Sequence, residues 1–175
     1  MFYSNNTKPV SFGYADAGYL SDPHNAKSQT GYVFTYGDIA ISWRSQKQTL
    51  VVTSSNHAEV IALHEASKEC RWLRSVLRHI QGASGLKVDK NPTILYEDNV
   101  AYVTQMKEGY IKSDRTKHIP PKFFSFTQEL ERNKEVNIHY IRSSDSVADL
   151  FTKTLPTSVF KKHIQNIGMR QLRDI

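Results

Sequence analysis

The chain has 175 residues, 39% apolar and 23% charged, which excludes a disordered or fibrous protein and suits a soluble globular domain burying roughly 70% of its unfolded surface. Its one cysteine, Cys70, rules out an internal disulfide and a Cys-x-x-Cys metal site, and points to a reducing compartment. The net charge of +6 and pI near 9.4 favour an anionic partner such as nucleic acid, while the absence of a long apolar run or a signal-peptide core argues against a membrane span and against secretion.

In chain order, Lys8 to Tyr19 alternates Val10, Phe12 and Tyr14 with small residues, which predicts a strand. Turn formers follow in "SDPHNAKSQTG". Two β-rich runs, Tyr32 to Tyr36 and Ile39 to Trp43, are then joined by Gly37-Asp38 as a hairpin. From Ser54 to Ile80 the period becomes helical, with Leu63, Ala66, Cys70, Leu73, Leu77 and Ile80 forming an apolar stripe that "QGASG" ends. Residues 93 to 97 read as a fourth strand and "NVAYVTQMK" as a short helix. After the basic loop "EGYIKSDRTKHIPP", Pro120-Pro121 opens a helix to about Asn133. "VNIHYI" is a fifth strand, "SVADLFTKTL" a short helix, and the basic tail from Pro156 is expected to be helical. Closely spaced early strands imply antiparallel hairpins, and later strands separated by helices imply parallel crossovers. The expected fold is α/β, a mixed five-stranded sheet with helices on both faces, forming one domain over 1–175. Its core would span about 10–155, with a basic tail from 156 to 175.

Four acids stand out by position. Asp16 continues the register of Val10, Phe12 and Tyr14; Glu59 lies one turn before Leu63 on the apolar stripe; Asp98 ends the fourth strand; Asp149 opens the helix after the fifth. Each has a structural reading. Glu59 with Asn56, or Asp149 with Ser146, could form a capping box; Asp98 could cap the next helix; Asp16 could face water. Brought together, however, four carboxylates repel unless a cation neutralises them. Oxygen-only donors suit Mg²⁺, and this many acids suit two ions, the arrangement used for in-line phosphodiester cleavage. Beside Asp98, Glu97 is expected to point to the opposite side by strand alternation and to be peripheral.

These residues resemble the RNase H domain of plant copia-type retrotransposon Pol polyproteins. The similarity rests on "GYADAGY", "SQTGYVF", "ISWRSQKQTLVVTSSNHAEVIAL", "LYEDN", "DRTKHIPPKFF" and "IRSSDSVADLFTKTLP", which occur in family order from about Phe12 to Arg173. The resemblance implies strand order 3-2-1-4-5 with the second strand antiparallel. It also implies a catalytic, metal-binding set of Asp16, Glu59, Asp98 and Asp149 holding two Mg²⁺ ions, with Mn²⁺ able to substitute. Asp16 would bridge both ions, Asp149 would serve the ion that activates water, and Glu59 and Asp98 the ion near the leaving 3′ oxygen. The implied activity is endonucleolytic cleavage of the RNA strand of an RNA/DNA hybrid, giving 3′-hydroxyl and 5′-phosphate ends. The implied partner is a reverse transcriptase domain in the parent polyprotein. The setting would be a cytoplasmic virus-like particle or the nucleus.

The mobile histidine that cellular and retroviral RNases H carry before the last acid has no counterpart in "IRSSDSVAD". Asp145, in that loop, is a weaker rival to Asp149. A hybrid nuclease must sense 2′-hydroxyls and hold phosphates. Ser55, Asn56 and Asn99 lie beside the acids and are candidates for the former, with helix capping as their structural alternative. Arg44, Lys47, Lys112, Arg115 and Lys117 are candidates for the latter, and His118 fits the family pattern without an assigned role. Trp43 and Trp72 read as core or partly buried residues. The competing functional reading is a catalytically weak or idle nucleic-acid-binding module that tethers a reverse transcriptase.

Overall fold

The computed structural model describes residues 10–108 and 119–170. Three strands, β1 (Ser11–Asp22), β2 (Lys27–Tyr36) and β3 (Ile39–Lys47), form an antiparallel meander. After α1 (Ser55–Ala83), β4 (Thr93–Glu97) pairs parallel to β1. Past α2 (Val100–Glu108) and α3 (Lys122–Arg132), β5 (Val136–Tyr140) pairs parallel to β4. The sheet order is β3-β2-β1-β4-β5, as the resemblance implied. The segment after β5 differs from expectation. It forms two 3-10 turns, Ser143–Asp145 and Val147–Phe151, instead of an α-helix, before α4 (Thr157–Asn166). Pro156 stands just before α4, where a missing N–H costs nothing.

Residues of β1 and β2 alternate between two cores. Ala15, Ala17, Tyr32 and Phe34 face α1, α2 and α3 in the larger one. Val33 and Tyr14 face the 147–151 turn and Ile167 in a smaller one on the other side. The basic tail is therefore part of the packing: Ala40 N–H donates to the Ile167 carbonyl at 3.0 Å.

Helix α1 starts where Ser54, in extended conformation, accepts the His57 N–H at 3.2 Å on its Oγ. Residues 57 to 63 are buried without interruption, so the first turns lie inside the protein on all sides. The stripe stays buried through Leu73, but Leu77 is half-buried and Ile80 is 53% exposed. A 29-residue helix runs about 43 Å and overshoots a sheet whose fourth and fifth strands have five residues each. Trp43 and Trp72, read as core or partly buried residues, are exposed at 54% and 58%.

Candidate metal and nucleic-acid site

The parallel register of β1 and β4 matches Tyr14 with Tyr96, so two residues further along each chain lie Asp16 and Asp98. Asp16 is fully buried, paired across β2 with Gly31. That glycine is required by what lies above it. A Cβ at position 31 would fall 2.5 Å from Thr152 Cγ2 and 2.9 Å from Phe151 Cβ, and a Cβ on Gly18 would fall 2.7 Å from the Thr152 carbonyl. The missing side chains let the 147–153 segment settle onto the sheet. Thr152 Oγ1 then donates to Asp16 Oδ2. Lys153 Nζ lies 3.0 Å from Asp16 Oδ1 and 2.8 Å from Asp149 Oδ1.

Asp16, Asp98 and Asp149 each present an oxygen within 4.8 Å of the others, and so do Glu59, Glu97 and Asp98. All four acids singled out from the sequence thus converge, with Asp98 common to both groups. The structural alternatives for them fall away. Ser54 caps α1, so Glu59 does not pair with Asn56 in a capping box. Ser146 makes no side-chain cap bond before Asp149. The cap of α2 is Asn99, whose Oδ1 accepts the Tyr102 N–H at 3.1 Å, leaving Asp98 uncommitted to that task.

Glu97 is not peripheral. Thr93, Leu95 and Glu97 are the buried alternates of β4, facing α1, and Glu97 is fully buried. Alternation does separate it from Tyr96, but the strand ends at Glu97. Beyond that point Asp98 is free of the pleat, and both acids offer an oxygen to the same group as Glu59. Sequence reasoning also passed over Lys153, although its spacing of four from Asp149 places an ammonium within reach of that acid.

Burial sets the electrostatics. Desolvation is the leading cause of raised pKa values for Asp16 and Asp149, with Lys153 pulling both back. Glu59 is raised well above the usual carboxylate range by burial and then by Glu97, Asp16 and Asp98. Burial also raises Glu97 well above that range, with Asp98 adding to it. Burial opposes the Lys153 charge, yet Asp16 and Asp149 outweigh it and raise its pKa. Of the five carboxyl groups gathered here (Asp16, Glu59, Glu97, Asp98, Asp149), Asp16 and Asp149 pair with this ammonium. Glu59 Oε2 and Glu97 Oε2 are buried without a hydrogen-bond partner among the described residues. Orphaned buried oxygens are costly unless protonated or bound to a cation, and an all-oxygen donor set suits a hard divalent ion.

The candidate substrate contacts are placed unevenly. Asn99 Nδ2 donates to Asn56 Oδ1 at 3.3 Å, so capping and a link between these two candidates coexist. Ser55 is exposed on the first turn of α1. Ser45 lies across β2 from Asp16 through Gly31, about 10 Å away at two strand spacings, and Arg44 and Lys47 flank it, exposed on β3. Lys47 is engaged by Asp22 at 2.5 Å. Lys112, Arg115, Lys117 and His118 lie outside the described residues.

No established family model matches the chain. It is 32% identical over 161 residues to the retrovirus-related Pol polyprotein from transposon TNT 1-94 of Nicotiana tabacum, a match covering 92% of this chain and 12% of that polyprotein. The corresponding polyprotein from transposon RE1 of Arabidopsis thaliana is 29% identical over 159 residues, 91% of this chain and 10% of its own length. The chain therefore spans only about a tenth of these relatives. Among solved structures, the N-terminal RNase H domain of a Mycobacterium tuberculosis protein matches with a TM-score of 0.58 at 15% identity, covering 90% of this chain and 98% of the other. LC11-RNase H1 in complex with an RNA/DNA hybrid matches with a TM-score of 0.58 at 18% identity, covering 81% and 93%. At such identities the likeness is one of fold. No helix among the described residues is long and apolar enough to cross a membrane.

Proposed function

The chain is an RNase H-fold relative of the Pol polyproteins of plant retrotransposons, and on that premise we propose that it is a metal-dependent ribonuclease H. Its substrate would be the RNA strand of an RNA/DNA hybrid formed during reverse transcription. The observation that carries the reading is the convergence of Asp16, Glu59, Asp98 and Asp149 around two carboxylate groups joined at Asp98. When bound, paired Mg²⁺ or Mn²⁺ ions would supply an activated water for in-line attack and stabilisation of the leaving 3′ oxygen.

Asp16, Asp98 and Asp149 would hold one ion and Glu59 with Asp98 the other, so the shared acid would be Asp98 where the resemblance implied Asp16. Burial of Asp16 in the sheet fixes its carboxylate before substrate arrives, and Thr152 orients its Oδ2. Lys153 neutralises Asp16 and Asp149 while the site is metal-free. The hydrogen-bonded Asn56–Asn99 pair, with exposed Ser55, would meet 2′-hydroxyls. Arg44 and Lys47 on β3, with Lys112, Arg115 and Lys117 in the basic segment before Pro120, would hold phosphates, so binding would weaken steeply with salt. The chain would act beside a reverse transcriptase domain, in a cytoplasmic virus-like particle or the nucleus.

The test is cleavage of an end-labelled hybrid with Mg²⁺ by the wild-type chain and by Asp98→Asn. Wild-type cleavage yielding 3′-hydroxyl ends, lost in the variant, is expected. Binding of hybrid with no cleavage by either protein would overturn the enzyme in favour of an idle binding module.

A further inference from the structure

We propose that Glu97 is a further metal ligand, completing with Glu59 and Asp98 a three-carboxylate site for one divalent cation. The inference rests on the metal-dependent reading above and adds to it a residue outside the four-acid set. Geometry carries it. Glu97, Glu59 and Asp98 each offer an oxygen within 4.8 Å of the other two. Glu97 is fully buried, and Glu59 is 8% exposed. Glu97 Oε1 accepts the Asn99 N–H at 3.2 Å, which fixes the carboxyl group in place. Its Oε2 and Glu59 Oε2 are both buried and have no hydrogen-bond partner among the described residues.

The same inward face of β4 carries Thr93 and Leu95, one hydrogen-bonded to Arg74 and the other in the apolar core. A residue needed only for packing at position 97 would be apolar, as Leu95 is. A carboxyl group beside two more acids, with one oxygen fastened and the other buried and unsatisfied, has the form of a ligand held ready. Mg²⁺ and Mn²⁺ take oxygen donors at about 2.0–2.2 Å, so the three oxygens would need to close slightly on the ion. The hydrogen bond from Asn99 engages only Oε1, which leaves Oε2 unsatisfied.

The probe is Mn²⁺, titrated calorimetrically into the full chain as wild type, Glu97→Gln and Asp98→Asn, with thermal melts of each in EDTA. Glu97→Gln is expected to weaken one Mn²⁺ site by at least about tenfold while melting in EDTA no lower than wild type. Asp98→Asn is expected to weaken binding at least as much. Unchanged Mn²⁺ affinity in Glu97→Gln, with affinity lost in Asp98→Asn, would overturn the role of Glu97 and leave the metal reading standing. Equal affinity in all three proteins, or no Mn²⁺ binding by wild type, would overturn both. Should Glu97→Gln fail to fold, Glu97→Leu, which continues the apolar face of Leu95, takes its place with the same expected loss and the same overturning result.

Discussion

Lys153 Nζ bridges Asp16 and Asp149, 3.0 Å from one carboxylate and 2.8 Å from the other, while its own side chain remains 37% exposed. The ammonium therefore neutralises two acids from the rim of the site. Replacing it should expose their repulsion. We expect Lys153→Met to lower stability in EDTA by about 1–2 kcal/mol, less than the cost of breaking a fully buried pair because water already screens the ammonium. Saturating Mg²⁺ should remove most of that deficit, since a divalent ion supplies the same neutralisation. Thermal melts of both proteins with EDTA and with Mg²⁺ check this; a deficit equally large in both conditions would place the lysine in a purely structural role.

Gly31 governs the distance between the sheet and the segment carrying Asp149, Thr152 and Lys153. Its missing Cβ is replaced by Thr152 and Phe151 at contact distances no Cβ tolerates. Gly31→Ala should cost about 1–3 kcal/mol through overpacking. Because the displaced segment carries groups that touch Asp16, hybrid cleavage should fall by about 10²-fold at temperatures where the variant is fully folded. Cleavage kinetics read beside circular dichroism separate the two effects. Wild-type rates in a folded Gly31→Ala would show that the segment adapts without moving the acids.

The fold was legible because its signals are local. Period-2 alternation in β1, the Gly37-Asp38 hairpin and the helical stripe of α1 each report on neighbouring residues, and the strand order then follows from the resemblance. Asp16 and Glu59 were legible because each is an acid on an otherwise apolar face. Glu97 was misread because alternation holds only while the strand lasts, and β4 ends at that residue. Residues 93 to 97 are legible as the strand, but its alternation does not carry on to Asp98. Lys153 was missed because its meaning depends on the 147–153 segment lying against Gly18 and Gly31, a contact between residues more than a hundred positions apart. Likewise, the exposure of Trp43 and Trp72 depends on what covers β3 and α1, which composition does not state.

Asn99 joins two duties that a single substitution can separate. Its Oδ1 caps α2 through the Tyr102 N–H, and its Nδ2 reaches Asn56. Asn99→Asp keeps the capping oxygen and loses the donor to Asn56, whereas Asn99→Ala loses both. Stability should fall by about 1 kcal/mol in the alanine variant and little in the aspartate variant. Both variants should bind an RNA/DNA hybrid more weakly than wild type, while affinity for a DNA duplex of the same length, which has no 2′-hydroxyls, should fall less. An aspartate variant with wild-type hybrid affinity would assign Asn99 to capping alone.

Glu97 also makes a prediction about pH. Its folded pKa lies well above the ordinary glutamate value of 4.5, chiefly because it is buried and then because Asp98 is adjacent. A carboxyl group with a raised folded pKa holds its proton more tightly in the folded state than in the unfolded one. Its contribution to stability is therefore full at low pH and is lost as pH rises from 4.5 through the folded value. His64 and His163, whose pKa values burial lowers, act in the opposite direction below their ordinary value of 6.5. The carboxyl contribution is isolated by the difference between wild type and Glu97→Gln, in which the histidine effects cancel. In EDTA the glutamine variant should gain on wild type as pH rises from 5 toward 8, by on the order of 2–4 °C in Tm for each kcal/mol of relieved charge. With saturating Mg²⁺ the order should reverse at the upper end, because wild type then gains a cation that the variant holds poorly. A difference in Tm that stays constant across this range in EDTA would show that Glu97 keeps one protonation state throughout.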